Sequence, residues 1–337
     1  MTEVLAAQNV TKVFKSGLFH KSRTVALEDF SLSINESPTF TAVAGESGSG
    51  KTTLARLLIG VISPTFGKVT YRGKSLQELS RSEWKLFRKD VQAVFQDPYG
   101  VYNPFYKVDH ALTVTVDKFK LARSRRQGRE LIEEALRAVG LRPEETLGRY
   151  PHELSGGQRQ RIMVARALLP KPRIIVADEP VSMVDASLRA TILRTLVDLN
   201  TNLGISILFI THDLTTAYRV SDHIIILYGG SIAEAGTVES VIKNPRHPYT
   251  RLLVGSVPVA DPDRKWGHQE IQVASSVPDS SNGCKFADRC TSVMAICRQT
   301  RPPLFQTDKN SAAACFLYKT EHSISVENLR ELMAVKV

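Results

Sequence analysis

Short apolar runs alternate with stretches of helical period along most of the chain. Residues 25–34 (VALEDFSLSI) alternate apolar with polar side chains, and 4–13 do so in part, as half-buried strands do. Asn35-Glu36-Ser37-Pro38 marks a turn, and the β-prone run 39–44 leads into a glycine-rich loop. The pattern becomes helical over 51–59, where Gly60 and then Pro64 stop it. Strand-like runs follow at 67–71 and 91–95, with a polar helix expected over 75–89 between them.

From about 100 to 168 the texture is helical. The stretch 108–119 is ambiguous in period. Residues 126–139 place Leu131, Ile132, Ala135, Leu136 and Val139 on one helix face, and 158–169 form a second helix closed by Pro170-Lys171-Pro172. Apolar runs at 174–177, 205–210 and 224–228 then read as buried strands, alternating with helices at 188–200 and 214–220. Strands sandwiched by helices make this an α/β chain, with a helical subdomain at about 100–168. After Pro245 the periodicity fades, so the expected division is 1–250 and 251–337. All four cysteines fall in the second part.

A length of 337 residues with 42% apolar and 23% charged side chains excludes a disordered or fibrous chain. Lys and Arg number 44 against 34 Asp and Glu, a formal net charge of +10 that favours an anionic partner without naming it. No apolar run approaches the ~20 residues that span a bilayer. The opening MTEVLAAQNV lacks a basic region followed by an apolar core, so no signal peptide is expected.

The strongest chemical signal is Gly45-Glu46-Ser47-Gly48-Ser49-Gly50-Lys51-Thr52, which follows an expected strand and opens an expected helix. Glycines let successive backbone N–H groups curl around phosphates, helped by the helix N-terminus. Lys51 would reach the β and γ phosphates, and the Thr52 hydroxyl a Mg²⁺ ion, with Thr53 completing the nucleotide-binding set. A second signal is 174–177 followed by Asp178-Glu179, an apolar strand that delivers two carboxylates: Asp178 for the Mg²⁺ shell and Glu179 to polarise water. A third is Leu154-Ser155-Gly156-Gly157-Gln158 at a helix start, a second anion-binding surface suited to another molecule's nucleotide.

Together with Gln96 and His212, these motifs resemble the nucleotide-binding subunit of an ATP-binding cassette transporter: a P-loop ATPase with a helical signature subdomain and a small cysteine-bearing extension. The resemblance implies that Gln96 touches Mg²⁺ or the water, and that Ser155, Gly157 and Gln158 close over the partner's γ-phosphate. It also implies that Asp185 crosses the dimer interface, His212 contacts the γ-phosphate and Phe14 stacks on adenine. Tyr150-Pro151-His152-Glu153-Leu154, the 244–250 stretch and the cysteine tail narrow the likeness to dipeptide and oligopeptide importers, over about residues 4–318. Two departures stand out. Met183-Val184 precedes Asp185 where the family has Ala-Leu, and Val101-Tyr102-Asn103-Pro104 replaces Ser-Leu-Asn-Pro.

The implied function is ATP-driven inward transport of a small oligomeric solute, di- or oligopeptides first, with oligosaccharides or another solute as the alternative and a soluble cassette ATPase acting on nucleic acid or ribosomes as the last reading. The implied partners are a second, homologous cassette ATPase in a heterodimer, two membrane permeases and an extracytoplasmic solute-binding protein. The chain would sit peripherally on the cytoplasmic face of the inner membrane. No nucleic-acid partner is expected, because Arg123, Arg125, Arg126 and Arg129 read as a solvated helix face or a surface near acidic lipid headgroups.

Cys284, Cys290, Cys297 and Cys315 are spaced C-x₅-C-x₆-C-x₁₇-C, which matches no common short-spaced metal signature. A reducing compartment argues against disulfides and leaves a metal site or plain thiols open. Resemblance to cluster-bearing relatives implies a 4Fe–4S iron–sulfur cluster on these four residues, with plain buried or free cysteines the next alternative and zinc the last.

Overall fold

The computed structural model describes residues 3–16, 22–97, 100–257 and 282–325, so the expected segment 251–337 lies partly outside it. Among these residues the strands form two sheets. In the first, β1 (Glu3–Ser16), β2 (Ser22–Asn35), β4 (Phe66–Tyr71) and β5 (Lys74–Ser75) pair antiparallel in the order β2-β1-β4-β5.

The second sheet has a parallel centre of β3 (Phe40–Ala44), β6 (Val91–Val94), β7 (Ile174–Asp178), β8 (Ser206–Thr211) and β9 (His223–Tyr228), in the order β9-β3-β8-β7-β6. These strands are largely apolar because both faces are covered. Ala42, Ile175, Phe209 and Ile226 point into a core that includes Leu112, Leu136 and Ile162 from helices. Their neighbours Val43, Val176, Leu208 and Ile225 point into another, shared with Val10, Phe30 and Leu54. β10 (Ser231–Thr237) continues the sheet antiparallel, followed by β12 (Ser311–Ala313), β11 (Leu304–Asp308) and β13 (Ser323–Ile324). The C-terminal strands therefore extend the same sheet; at two to five residues each they carry too little alternation to be read from sequence.

Helix α1 (Lys51–Leu58) follows the glycine-rich loop. Helix α2 (Arg81–Asp90) starts later than the expected residue 75, because Ser80 and Glu83 form a capping box that fixes its first turn. Residues Leu76–Glu78 make a single 3₁₀ turn instead. The ambiguous stretch is helix α3 (Val108–Phe119), which packs with α4 (Arg125–Ala138) and α6 (Gly156–Leu168), while α5 (Pro143–Thr146) packs on α4. The basic run on α4 is an exposed face, with Arg126 paired to Glu130 and Arg129 to Glu133 four residues on. Helices α7 (Ala186–Leu203), α8 (Leu214–Val220), α9 (Val238–Lys243), α10 (Pro248–Gly255) and α11 (Ala295–Gln299) complete the set. Among the described residues, no helix is long and apolar enough to cross a membrane.

Candidate active site

β3 ends at Ala44 and α1 begins at Lys51, so the loop between them turns from strand to helix in six residues. Gly45 and Gly50 adopt φ of +151° and +101°, and a Cβ there would stand 2.2 Å from the Leu227 carbonyl oxygen or 2.3 Å from that of Ala26. Only glycine fits either place. The Lys51 side chain is buried and folds back along the loop, its Nζ donating to the carbonyls of Gly45 at 2.7 Å and Glu46 at 2.8 Å. Burial lowers its pKa, partly countered by the charges of Glu179, Asp178 and Glu46.

Ser49 is buried in the loop, and its carbonyl accepts from Gly230 N–H at 3.0 Å. Thr52 Oγ1, on the first turn of α1, lies 3.4 Å from Asp178 Oδ1 at the end of β7. Burial raises the pKa of Asp178, the Glu179 charge adds to this, and the Thr52 hydroxyl opposes it. One hydroxyl and one carboxylate converging beside a phosphate loop fit Mg²⁺, which takes few protein ligands and fills its shell with phosphate oxygens and water. The cradle of backbone amides and Lys51 likewise fits a triphosphate.

Glu179 leaves the strand at φ +46°, its N–H held at 2.9 Å by the carbonyl of Ile210 on β8. β6, β7 and β8 are parallel neighbours, so the residues after them emerge on one edge. Gln96 follows β6 and His212 follows β8. Gln96 Nε2 donates to Glu179 Oε2 at 3.1 Å, and His212 Nδ1 stands 3.2 Å from Glu179 Oε1. Thus Lys51, Thr52, Asp178, Glu179, Gln96 and His212 are brought to one place.

The other expected residues sit on other elements. Ser155 caps α6 in a capping box, its Oγ accepting from Gln158 N–H while its own N–H donates to Gln158 Oε1. Asp185 is the N-cap of α7, with no side-chain capping bond. Phe14, on β1, is half exposed with the Lys12 ammonium 5.3 Å from its ring centre. Among the described residues, no hydrogen bond or ion pair joins Phe14, Ser155, Gly157, Gln158 or Asp185 to the phosphate loop.

A family model described as "ABC transporter" matches residues 27–182, and one described as "Oligopeptide/dipeptide transporter, C-terminal region" matches 233–297. The chain is 40% identical over 319 residues to the probable peptide ABC transporter ATP-binding protein y4tS of Sinorhizobium fredii, covering 93% of this chain and 89% of that one. It is 39% identical over 322 residues to the dipeptide transport ATP-binding protein DppF of Haemophilus influenzae, covering 94% and 97%. The chain belongs to the ABC transporter family, among the ATP-binding subunits of the oligopeptide/dipeptide importers.

This ABC subunit also matches a solved dimeric ATP-binding cassette in a post-hydrolysis state bound to ADP and Pi. The TM-score is 0.62 at 30% identity, over 69% of this chain and 98% of that one. The subunit is an ATPase coupled to transport, and membership in the family implies a multi-subunit importer.

One expectation for this ABC subunit is corrected. Among the described residues, no group of three or more His, Cys, Asp or Glu side chains is placed to hold a metal ion, which overturns the 4Fe–4S cluster, and zinc with it, on Cys284, Cys290, Cys297 and Cys315. All four are free cysteines beside an apolar cavity that Phe286, Ala287 and Phe316 also line. Metal ligation needs thiolates, whereas burial pushes the Cys284 and Cys290 thiols up and that of Cys315 to about 11. They pack as small apolar side chains.

Sequence reasoning also missed two contacts on the phosphate loop. Tyr249 Oη accepts from the N–H of Glu46 at 2.8 Å, and Arg289 grips the Glu46 carboxylate. Both partners are far away in sequence and carry no local signal.

Proposed function

We propose that this chain binds ATP on the 45–53 loop and uses its hydrolysis to power uptake of di- or oligopeptides through partner permeases. The peptide cargo follows from relatives named as peptide, dipeptide and oligopeptide transport proteins. The observation that carries the hydrolytic role is the Glu179 carboxylate, held between Gln96 and His212 beside the Thr52–Asp178 pair.

In this reading Glu179 accepts the proton of the attacking water, and Gln96 and His212 orient its two oxygens. His212 then bears on the γ-phosphate, Lys51 neutralises β and γ oxygens, and Phe14 stacks on adenine. Thr52 and Asp178, with Gln96 nearby, would hold Mg²⁺, which supplies charge neutralisation on the phosphates. Ser155, Gly157, Gln158 and Asp185 would complete the nucleotide site of a second, homologous cassette in a heterodimer. Two permeases and an extracytoplasmic binding protein complete the importer, with this subunit peripheral on the cytoplasmic face of the membrane.

The test is purification from detergent-solubilised native membranes, followed by reconstitution with and without Glu179→Gln. The reading expects permeases and a second cassette to co-purify, and peptide uptake that the variant abolishes. Ribosomal or DNA-bound partners, or uptake undiminished by the variant, would overturn it.

A further inference from the structure

The turn from Cys284 to Cys290 reaches back across the fold to the phosphate loop. Arg289 makes a two-pronged ion pair with Glu46, the second residue of that loop: Nη1 to Oε2 at 2.8 Å and Nη2 to Oε1 at 3.0 Å. The pair is partly buried, with 20% of the Arg289 side chain and 36% of Glu46 exposed, and it spans 243 positions of sequence. The guanidinium lies 5.7 Å from the Tyr228 ring centre and 5.6 Å from that of Phe286, and its Nη1 also donates to Tyr228 Oη at 3.3 Å. Tyr249, which holds the Glu46 N–H, packs at a tilt against both of those rings, with centres 4.5 and 5.5 Å away. Both the side chain and the backbone of Glu46 are therefore gripped from outside the loop.

A second strut runs parallel. Lys285 and Arg301 both pair with Glu28, at 2.7 and 2.6 Å. Burial opposes the charge on Glu28, yet the two cations outweigh it and hold its carboxyl below the usual range. Glu28 N–H donates to the Gly230 carbonyl, and Gly230 N–H to the Ser49 carbonyl, back in the phosphate loop.

We infer that Arg289 is a positioning residue for the nucleotide site. It fixes the phosphate loop through Glu46 and neutralises a carboxylate that would otherwise repel the triphosphate. The inference rests on the loop binding ATP. The Arg fork is suited to this because it holds both carboxylate oxygens in one plane, which a lysine cannot do. It makes the C-terminal segment part of the ATP site.

The experiment is calorimetric titration of the full chain with Mg²⁺–ATP at 0 °C, comparing wild type, Arg289→Gln, Arg289→Lys and Arg289→Gln with Glu46→Gln, with thermal melts of each apoprotein. The expected result is a dissociation constant raised about tenfold in Arg289→Gln. Arg289→Lys should fall between, and the double variant should regain most of the affinity, because the unpaired carboxylate is gone. The melts separate a loss of affinity from a loss of folding, because removing an unpaired, partly buried carboxylate can restore either. Equal affinity in wild type and Arg289→Gln, or a double variant no better than the single one, would overturn the inference alone. A wild-type chain that binds no ATP would overturn both it and the nucleotide reading.

Discussion

His212 Nδ1 lies 3.2 Å from Glu179 Oε1, while Gln96 Nε2 occupies the other oxygen of the same carboxylate at 3.1 Å. A carboxylate held at both oxygens has one orientation, and its replacement is therefore informative. Glu179→Gln is expected to lower single-turnover phosphate release by about a hundredfold or more while ATP still binds. His212→Ala should act in the same direction by freeing one oxygen. Rapid-quench measurement with radiolabelled ATP checks this, and a variant hydrolysing at the wild-type rate would remove Glu179 from the chemistry.

Ser155 is the N-cap of α6. Ser155→Ala should cost about 1 kcal/mol of stability through the lost cap. If the residue also serves the opposing nucleotide, it should lower turnover in the assembled complex but leave ATP affinity of this chain unchanged. Denaturant unfolding and steady-state ATPase of the two-cassette complex separate the effects.

Glu234 and His247 are adjacent buried groups whose titrations oppose each other. Burial pushes Glu234 up to about 7, although the N–H groups of Arg246 and His247 donate to it. The native chain thus holds a proton between pH 4.5 and 7 that the unfolded chain has released, and stability falls as pH rises through that window. Burial pushes His247 down to about 4, so there the unfolded chain is the one that binds a proton, and stability rises from pH 4 to 6.5. Glu234→Gln leaves His247 unopposed. Its unfolding free energy should climb relative to wild type across pH 4.5–6.5, at a slope of up to about 1.4 kcal/mol per unit. Parallel curves from urea titrations at several pH values would contradict the assignment.

The cysteine thiols offer a chemical check on their environment. With the Cys315 thiol at about 11 and only 8% of the residue exposed, alkylation by iodoacetamide at pH 8 should be roughly a hundredfold slower than for free cysteine. Cys284 and Cys290, also held protonated by burial, should be slowed less because they are more exposed. Mass spectrometry of timed aliquots measures this; labelling of Cys315 at the free-cysteine rate would show a thiolate instead.

Much of the parallel sheet was legible because strands buried on both faces leave unbroken apolar runs, as at 174–177 and 224–228. The start of α2 was not, because Ser75 and Ser80 each have a Glu three residues on, and only the fold decides that the capping box closes at Ser80 and not at Ser75. The ambiguous 108–119 stretch became a helix by burying Val108, Leu112 and Val116 against its neighbours, a choice made by packing.

By itself the sequence determined what depends on neighbours along the chain. The loop from Gly45 to Thr52, the carboxylates ending β7 and the capped start of α6 each need only local backbone geometry and a few contiguous side chains. Tertiary structure decided what depends on distance. Gln96 and Glu179 are 83 positions apart, and only the parallel order β6-β7-β8 brings them, with His212, to one edge. Arg289 meets Glu46 across 243 positions because the C-terminal segment folds back over the sheet. Burial likewise raises the thiols of Cys284, Cys290 and Cys315, since the cost of ionising a sulfur depends on what surrounds it and not on its spacing from the next cysteine.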